Sequence, residues 1–316
     1  MAAATPAVVG TTPEAAPGGG RRFDPVTLLF LGPPAIFLAV FLIYPTIYTI
    51  ALSFNRGRRG EFGEWIGLDN YIALLTADKS FLDLSTFPPS GAIWNNILWA
   101  VFYTSFVIFI GLVVAVLATR VRYESVIKSI VFLPMAIAAT ALAIIWNFVY
   151  APDRSIGLLN AILAPVTERG ISWLGNPSLV NGALITVGIW GSVGFATIIL
   201  SAALKSIPSE MLEAARVDGA NERQIFFRII VPMVSLPISV LAVTLLVNVV
   251  KLFDLIYVLT NGGPGVASRV IGFTMYQESI PGGQFGKGSA VAVIMLILLI
   301  PIMVYNIRRF RSSRVT

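Results

Sequence analysis

The chain has 316 residues, of which 56% are hydrophobic and only 12% are charged, and its formal net charge is +6. A soluble domain carries about 25% charged residues, so this chain has too few to cover a water-facing surface. It contains neither cysteine nor histidine, which excludes disulfides, thiolate nucleophiles, Ser-His-Asp triads and the common zinc sites. The composition predicts an integral membrane protein without a metal site.

Long stretches without any charged residue recur along the chain. A membrane-crossing helix needs about 20 apolar residues, and six stretches are long enough. They are apolar on all sides and do not alternate as the strands of a barrel do. We therefore predict an all-α membrane domain over residues 26–310 with six transmembrane helices. The predicted spans lie near residues 27–53, 93–118, 129–150, 180–203, 235–257 and 289–307.

Lysine and arginine predict the orientation, because they are enriched in cytoplasmic segments of membrane proteins. With six spans, both termini share a side. Thirteen of the 22 Lys and Arg residues fall on that side and eight on the other, although Arg56, Arg58 and Arg59 oppose the trend. The sequence predicts cytoplasmic termini, with a disordered Ala/Pro/Gly-rich tail over residues 1–25 and a short cytoplasmic tail over residues 311–316.

The polar segment 205–232, between the fourth and fifth predicted spans, carries the signals of a helix start. Pro208 and Ser209 favour the first turn of a helix. Glu210 and Glu213 are expected in that first turn, where a negative charge is favourable to the helix dipole.

The same segment carries the signals of a helix end and of a second helix. Gly219 favours the left-handed conformation that ends a helix. Asn221 and Gln224 have the spacing of a capping box, and Glu213 and Arg216 are spaced to pair. These signals predict a helix–turn–helix that docks another protein. An ordinary connecting loop is the alternative.

The stretch Glu213-Ala214-Ala215-Arg216-Val217-Asp218-Gly219-Ala220 resembles the EAA loop of ATP-binding-cassette importer permeases. The resemblance covers roughly residues 26–310 and is strongest to the maltose- and alpha-glucoside-type sugar permeases. Its other matching stretches are Tyr44-Pro45, Leu52-Ser53-Phe54, Gly67-Leu68-Asp69-Asn70-Tyr71, Leu133-Pro134, Gly157-Leu158-Leu159-Asn160, Leu259-Thr260-Asn261-Gly262-Gly263-Pro264 and Gly286-Lys287-Gly288-Ser289-Ala290.

This resemblance implies a permease subunit, not an enzyme, of a carbohydrate importer in the cytoplasmic (inner) membrane of a prokaryote. ATP and Mg²⁺ would be bound by a separate ATPase, so this chain is expected to bind no cofactor. The implied partners are a second related permease subunit, an ATPase dimer, an extracytoplasmic substrate-binding protein, the sugar and membrane lipid, with no nucleic acid.

The resemblance also implies roles within the loop, which would be the cytoplasmic coupling helix. Glu213 would make the acidic contact with the ATPase. Ala214 and Ala215 would allow close packing, Asp218 completes the motif, and Gly219 forms the turn. The chain would supply half of a translocation path that opens alternately to each side.

Polar residues in the fifth predicted span are candidates for the substrate path, because polar groups inside a membrane are costly and mark function. Asn248 lies on this span, where its amide could bind a sugar hydroxyl. Lys251 and Asp254 either pair at i,i+3 or lie at the outer interface, and the sequence leaves both open.

The resemblance adds Ser192, Phe195, Asn248 and Leu252, which align with the sugar-lining positions of maltose-type permeases. Val249 and Leu252 stand where those permeases have amides, so the expected contact set differs from theirs. Further aromatic and amide candidates are Trp146, Asn147, Tyr150 and Trp190.

The expected substrate is an alpha-glucoside or short oligosaccharide. Glycerol-3-phosphate or another polyol-like solute is the first alternative, but a phosphate would favour a basic lining, for which Lys251 is the sole candidate. An ion-coupled carrier would need several membrane carboxylates, and Asp254 is the sole candidate. A membrane enzyme would need a nucleophile or metal set that a chain without His and Cys does not supply.

Overall fold

The computed structural model describes residues 25–119 and 121–312, with side chains described from 29 to 309. The predicted tails, residues 1–25 and 311–316, lie outside the described residues apart from backbone at 25, 311 and 312. The described part of the chain is helical and contains two isolated bridge pairs but no strand. The prediction of an all-α protein is confirmed.

In chain order, the helices are α1 (Pro25–Leu38, a π-helical turn Ala39–Ile43, then Tyr44–Ser53), α2 (Asp69–Ile72 and a π-helical turn Ala73–Ala77), α3 (Ala92–Leu98, a π-helical turn Trp99–Tyr103, then Thr104–Ala118), α4 (Glu124–Phe132 and a 3₁₀ turn Leu133–Ala136), α5 (Ala139–Val149), α6 (Leu158–Leu163), α7 (Val180–Lys205), α8 (Ser209–Val217), α9 (Glu222–Ile225, a π-helical turn Phe226–Ile230, then Val231–Met233), α10 (Ser235–Val250), α11 (Asp254–Leu259), α12 (Ile271–Ser279) and α13 (Phe285–Ser312). The chain divides into two compact units after Tyr48, and apart from α1 the features below lie in the second.

Four helices are long and apolar enough to cross a membrane without a sharp bend. They are Leu29–Ser53 of α1, Ala92–Ala118 of α3, Val180–Lys205 of α7 and Phe285–Arg309 of α13. Two helix pairs pass the same test with a sharp bend, α4 with α5 at 99° and α9 with α10 at 68°. If each bent pair is one span, the described residues provide up to six spans.

The predicted third span near residues 129–150 corresponds to two helices, α4 and α5, which meet at a sharp bend. The α-helical part of α4 ends at Phe132, and the backbone is extended at Ile137 and Ala138. Pro134 explains the break, since it has no N–H to bond four residues back and its ring clashes with that carbonyl. Proline is tolerated at the start of the 3₁₀ turn Leu133–Ala136, where Pro134 lies.

The predicted fifth span near residues 235–257 is also interrupted, close to its C-terminal end. Helix α10 ends at Val250 and α11 begins at Asp254. The three residues between them include neither proline nor glycine, so tertiary contacts must end the helix.

The side chain of Asn96, on α3, supplies these contacts. Its Nδ2 donates to the carbonyl of Val249 at 2.9 Å, and its Oδ1 accepts from the backbone N–H of Ile271 at 2.8 Å. Asn96 therefore satisfies a carbonyl at the end of α10 and an amide at the start of α12.

Gly272 allows the start of α12 to lie directly against this break. A Cβ at Gly272 would lie 2.6 Å from the carbonyl oxygen of Leu252, so a larger residue would push the two segments apart. The close approach and the Asn96 hydrogen bonds together fix where α10 stops.

Helices α3 and α7 form the centre of the core. A Cβ at Gly111 of α3 would lie 2.6 Å from Cβ of Ala196 on α7. Such contacts between small residues let helix backbones pack closely where the hydrophobic effect between helices is absent. Buried side chains of α5, α10, α11 and α12 complete the same core.

A cluster of charged side chains joins the segment after α2 to α12 and α13. Lys287 Nζ lies 2.7 Å from Asp78 Oδ2 and 3.0 Å from Glu278 Oε1. Burial acts to raise the pKa of Asp78, but hydrogen bonds from Lys287 and Ser80 outweigh it and hold that pKa below its usual value. The carboxylate of Asp78 is therefore kept charged, and its ion pair with Lys287 holds the segment after α2 against α13.

We predict that Asn96→Leu destabilises the chain, because it leaves the N–H of Ile271 buried without a partner and removes one of the two hydrogen bonds to the carbonyl of Val249, which then retains only the N–H of Leu252. One buried group without a partner costs about 1–3 kcal/mol, which thermal unfolding of the purified chain in detergent would measure. The matched control is Asn176→Leu, since Asn176 is exposed and its side chain accepts only the N–H of Ser178. Equal losses in the two variants would contradict the role given to Asn96.

Candidate functional site

A cavity of about 210 Å³ lies where the two helix breaks meet. The α4–α5 break contributes its wall from Pro134 to Ala139, and the end of α10 contributes Asn248, Val249 and Leu252. Its full lining is Trp99, Tyr103, Pro134, Met135, Ile137, Ala139, Leu142, Val187, Gly188, Gly191, Ser192, Asn248, Val249, Leu252 and Leu255. Residues from both helix breaks therefore line the same cavity.

Three of the six predicted path residues line this cavity, namely Ser192, Asn248 and Leu252. Asn248 is exposed, and Ser192 is half-buried. The structure thus brings together residues of α7 and α10 that lie more than fifty positions apart in sequence.

The other three predicted path residues lie outside the lining. Phe195 packs against the hydrophobic core. Lys251 and Asp254 are both exposed, and the structure, which describes both side chains, places no ion pair between them. The helix break at residues 251–253 removes the i,i+3 spacing on which their expected pairing depended.

The additional candidates pack elsewhere. The Trp146 ring lies 5.0 Å from that of Tyr150 and 5.7 Å from that of Trp190. The Tyr150 hydroxyl donates to the backbone carbonyl of Ala183 at 3.0 Å. Asn147 is exposed, and none of these four residues lines the cavity. The rings of Trp146, Tyr150 and Trp190 therefore contribute to side-chain packing.

Two aromatic residues of α3 that the sequence analysis missed line the cavity. The hydroxyl of Tyr103 lies 2.8 Å from Ser192 Oγ. The indole N–H of Trp99 is buried, and no described residue accepts a hydrogen bond from it. A tyrosine in the middle of the predicted span 93–118 was an available signal, because a buried hydroxyl needs a partner.

The cavity is suited to a neutral, hydroxyl-rich solute. It offers the hydroxyls of Ser192 and Tyr103 and the amide of Asn248 beside the rings of Trp99 and Tyr103, and its lining includes no charged side chain. Aromatic walls with a few placed polar groups are typical of small-molecule sites. Among the described residues, no three His, Cys, Asp or Glu side chains come together as metal ligands would.

Helix α8 contains the first five residues of the EAA stretch, Glu213 to Val217, and the predicted left-handed end at Gly219 is confirmed. Gly219 has φ of +82°. Its N–H donates to the carbonyl of Arg216, and the N–H of Ala220 donates to that of Ala215, both at 3.0 Å. These two bonds form a Schellman motif, which satisfies carbonyls at the helix end.

The predicted capping box is also confirmed. Asn221 Oδ1 accepts from the N–H of Gln224, and Gln224 Oε1 accepts from the N–H of Asn221, both at 2.9 Å. The predicted pairing of Glu213 with Arg216 is wrong, because Arg216 Nε lies 3.2 Å from Glu222 Oε1 instead. Glu222 begins α9, so this ion pair closes the turn between α8 and α9.

Helix α8 has no buried residue. Glu210 is the acidic residue of its first turn, and Glu213 lies one turn later, contrary to the prediction. Glu213, Ala214 and Asp218 are exposed, Ala215 is half-buried, and the apolar Val217 is 87% exposed. The helix therefore presents an acidic and apolar surface that no other described part of the chain covers.

Comparison with known families identifies the class of protein. The family described as binding-protein-dependent transport system inner membrane component matches residues 107–315. The osmoprotective compounds uptake permease protein GgtC of Synechocystis is 43% identical over 90% of this chain and 99% of the relative. The alpha-glucoside transport system permease protein AglF of Rhizobium meliloti is 39% identical over 89% and 81%.

The fold also matches a solved structure, that of a bacterial ABC transporter involved in the import of alginate. The TM-score is 0.74 at 23% identity, over 93% of this chain and 96% of that one. At that identity the match shows a common fold and no more.

The chain belongs to the family of binding-protein-dependent transport system inner membrane components. It is a permease subunit of an ABC importer in the inner membrane, of the type represented by sugar permeases, and it is not an enzyme. ATP hydrolysis belongs to a separate subunit.

Two glycines of α7 allow a test of how closely this helix packs against Trp99 in the cavity wall. A Cβ at Gly188 would lie 2.6 Å from the Trp99 ring, whereas a Cβ at Gly182 would meet nothing within 4 Å. Gly188→Ala should therefore destabilise the chain by about 1–3 kcal/mol through overpacking. Gly182→Ala should be neutral or slightly stabilising, because alanine favours a helix.

Thermal unfolding in detergent and tryptophan fluorescence would measure both variants. A shifted emission spectrum is expected for Gly188→Ala alone, since it displaces Trp99. Indistinguishable variants would contradict the close packing described for this wall.

Proposed function

We propose that this chain forms half of the translocation path of an ATP-driven carbohydrate importer, with an alpha-glucoside or short oligosaccharide as substrate. The observation that carries the proposal is the cavity at the meeting of the two helix breaks. Hydroxyl and amide groups line it beside the aromatic rings of Trp99 and Tyr103, and no charged side chain does. Sugars are bound by such hydrogen-bonding groups beside aromatic walls.

The relatives support this substrate class. One is named for alpha-glucoside transport, and another for trehalose and maltose transport. The relative at 43% identity is named for osmoprotective compounds. A small polyol-like solute is the second candidate, because the cavity lining carries no charge. Glycerol-3-phosphate is less well supported, because Lys251 lies outside the uncharged lining.

The size of the cavity supports a second permease subunit. Sites for drug-sized ligands have volumes of about 300–1,000 Å³, and this cavity has about 210 Å³. An oligosaccharide would need more wall than one chain supplies. A related second permease subunit facing this one would complete the path.

Helix α8 is proposed as the contact with the ATPase dimer, which would bind ATP and Mg²⁺. Its exposed acidic and apolar surface supports this role, with Glu213 as the acidic contact and Ala214, Ala215 and Asp218 beside it. A Schellman motif closes the C-terminal end of α8, and the helix has no buried residue, so it can move as a rigid element. This role requires α8 and both termini to lie in the cytoplasm and the substrate-binding protein to lie on the opposite side.

An ion-coupled carrier is the rival mechanism, and the cavity disfavours it. Coupling to an ion would require carboxylates on the path, whereas Asp254 lies outside the lining and no other carboxylate takes its place.

Variants of α8 test the coupling role. Glu213→Ala and Gly219→Val should each lower sugar-stimulated ATP hydrolysis by the assembled importer about fivefold or more, as loss of a central interface contact does. Gly219→Asn is the matched control, because asparagine tolerates the left-handed conformation that valine does not.

Co-purification of the ATPase, with ATP turnover in liposomes, would measure these effects. Retained association and turnover in Glu213→Ala and Gly219→Val would contradict the coupling role of α8, and uptake without ATP would favour a carrier.

Variants of α10 test the substrate path. Asn248→Ala should lower uptake of radiolabelled sucrose, trehalose or maltose about threefold to tenfold, the value of one or two hydrogen bonds. Lys251→Ala is the matched control on the neighbouring turn, since Lys251 lies outside the cavity lining. The ATPase should co-purify equally with both. Equal uptake by the two variants would contradict the role of Asn248.

A further inference from the structure

Helix α8 is tied closely to the end of α7. Only residues 206–208 separate Lys205 from the first residue of α8. Ser206 N–H donates to the carbonyl of Ala203 and Ile207 N–H to that of Leu204, both at 3.2 Å, and the ring of Pro208 fixes its φ. A connection this short and restrained transmits displacement of α8 to the end of α7.

Lys205 is the basic residue of the last turn of α7, and its Nζ lies 3.1 Å from Glu124 Oε1. Glu124 is the acidic residue of the first turn of α4 and also pairs with Lys128, one turn further along that helix. Each charge of the Glu124–Lys205 pair is at the helix end whose dipole favours it. The pair therefore joins the end of α7 to the start of α4.

The same two helices touch along their length. A Cβ at Gly194 of α7 would lie 2.5 Å from the carbonyl oxygen of Val131 and 2.7 Å from Cα of Phe132, both on α4. With contact this close, α4 cannot slide along α7 without a change in packing.

Helix α4 leads directly into the cavity wall. Its last turn contributes Pro134 and Met135, and the break that follows contributes Ile137 and Ala139. A chain of contacts thus runs from α8 through Lys205 and Glu124 to the α4–α5 break.

We infer that Glu124 is a positioning residue that transmits movement of α8 to the cavity wall through its ion pair with Lys205. This inference rests on the proposed coupling role of α8, and adds the route by which that movement reaches the solute. Glu124 is half-buried and Lys205 is exposed, with side-chain exposures of 24% and 59%, so the pair can be altered without opening the core.

The absence of cysteine from the chain allows a direct test with Met135→Cys, which places one thiol of this chain in the cavity wall. The assembled importer, reconstituted in liposomes, is labelled with a methanethiosulfonate reagent with and without ATP. The rate of labelling of this chain should change when ATP is added. Met135→Cys combined with Glu124→Gln or Lys205→Gln should show that change reduced about threefold to tenfold, the range for residues that modulate coupling.

Two controls separate transmission from stability. Lys205→Arg keeps the charge and should retain the ATP-dependent change. Lys128→Gln removes a partner within α4 and leaves the link between helices, so it should also retain the change. Thermal unfolding would show whether the variants remain equally folded, and Lys205→Gln, at an exposed position, keeps the test usable if Glu124→Gln does not assemble.

The outcomes distinguish this inference from the proposed function. An unchanged ATP response in the Glu124→Gln and Lys205→Gln variants would overturn the inference and leave the coupling role of α8 intact. Equal loss in Lys128→Gln would also overturn it. No ATP response in Met135→Cys alone, with the ATPase bound and active, would overturn the proposed coupling and this inference together.

Discussion

The buried amide of Asn96 is the contact on which the described membrane architecture depends. A helix that stops inside a membrane protein leaves carbonyls that lipid cannot satisfy, and Asn96 bonds both to the carbonyl of Val249 and to the N–H of Ile271. Because Asn96 bonds to both groups, α10 can end at Val250, and Asn248 and Leu252 line the cavity.

The second break has a different cause and meets the first at the same place. Pro134 ends the regular part of α4, and the extended residues that follow complete the cavity wall. Helix α7 packs against α4 through Gly194 and contributes Ser192 to the cavity. The proposed coupling helix α8 follows α7 directly, so the element proposed to contact the ATPase adjoins a helix that lines the cavity.

Composition and local signals were enough to predict the helical class, the four straight spans and the caps of α8 and α9. These features depend on neighbours in sequence, such as Gly219 at a helix end. The break after α10 could not be predicted in this way, because residues 251–253 include no helix breaker and its cause is Asn96, more than 150 positions earlier. Pro134 was a local signal for the other break. The ion-pair partner of Arg216 was also predicted wrongly. Glu222 lies across the turn between α8 and α9, outside the i,i+3 and i,i+4 spacings of a single helix.

The most direct test of the account is solute uptake by the complete importer in liposomes, with ATP enclosed and the substrate-binding protein outside. We predict that radiolabelled sucrose, trehalose or maltose enters only when ATP, the ATPase and the binding protein are all present. Uptake by this chain and its partner permease alone, driven by a proton or sodium gradient, would contradict the account.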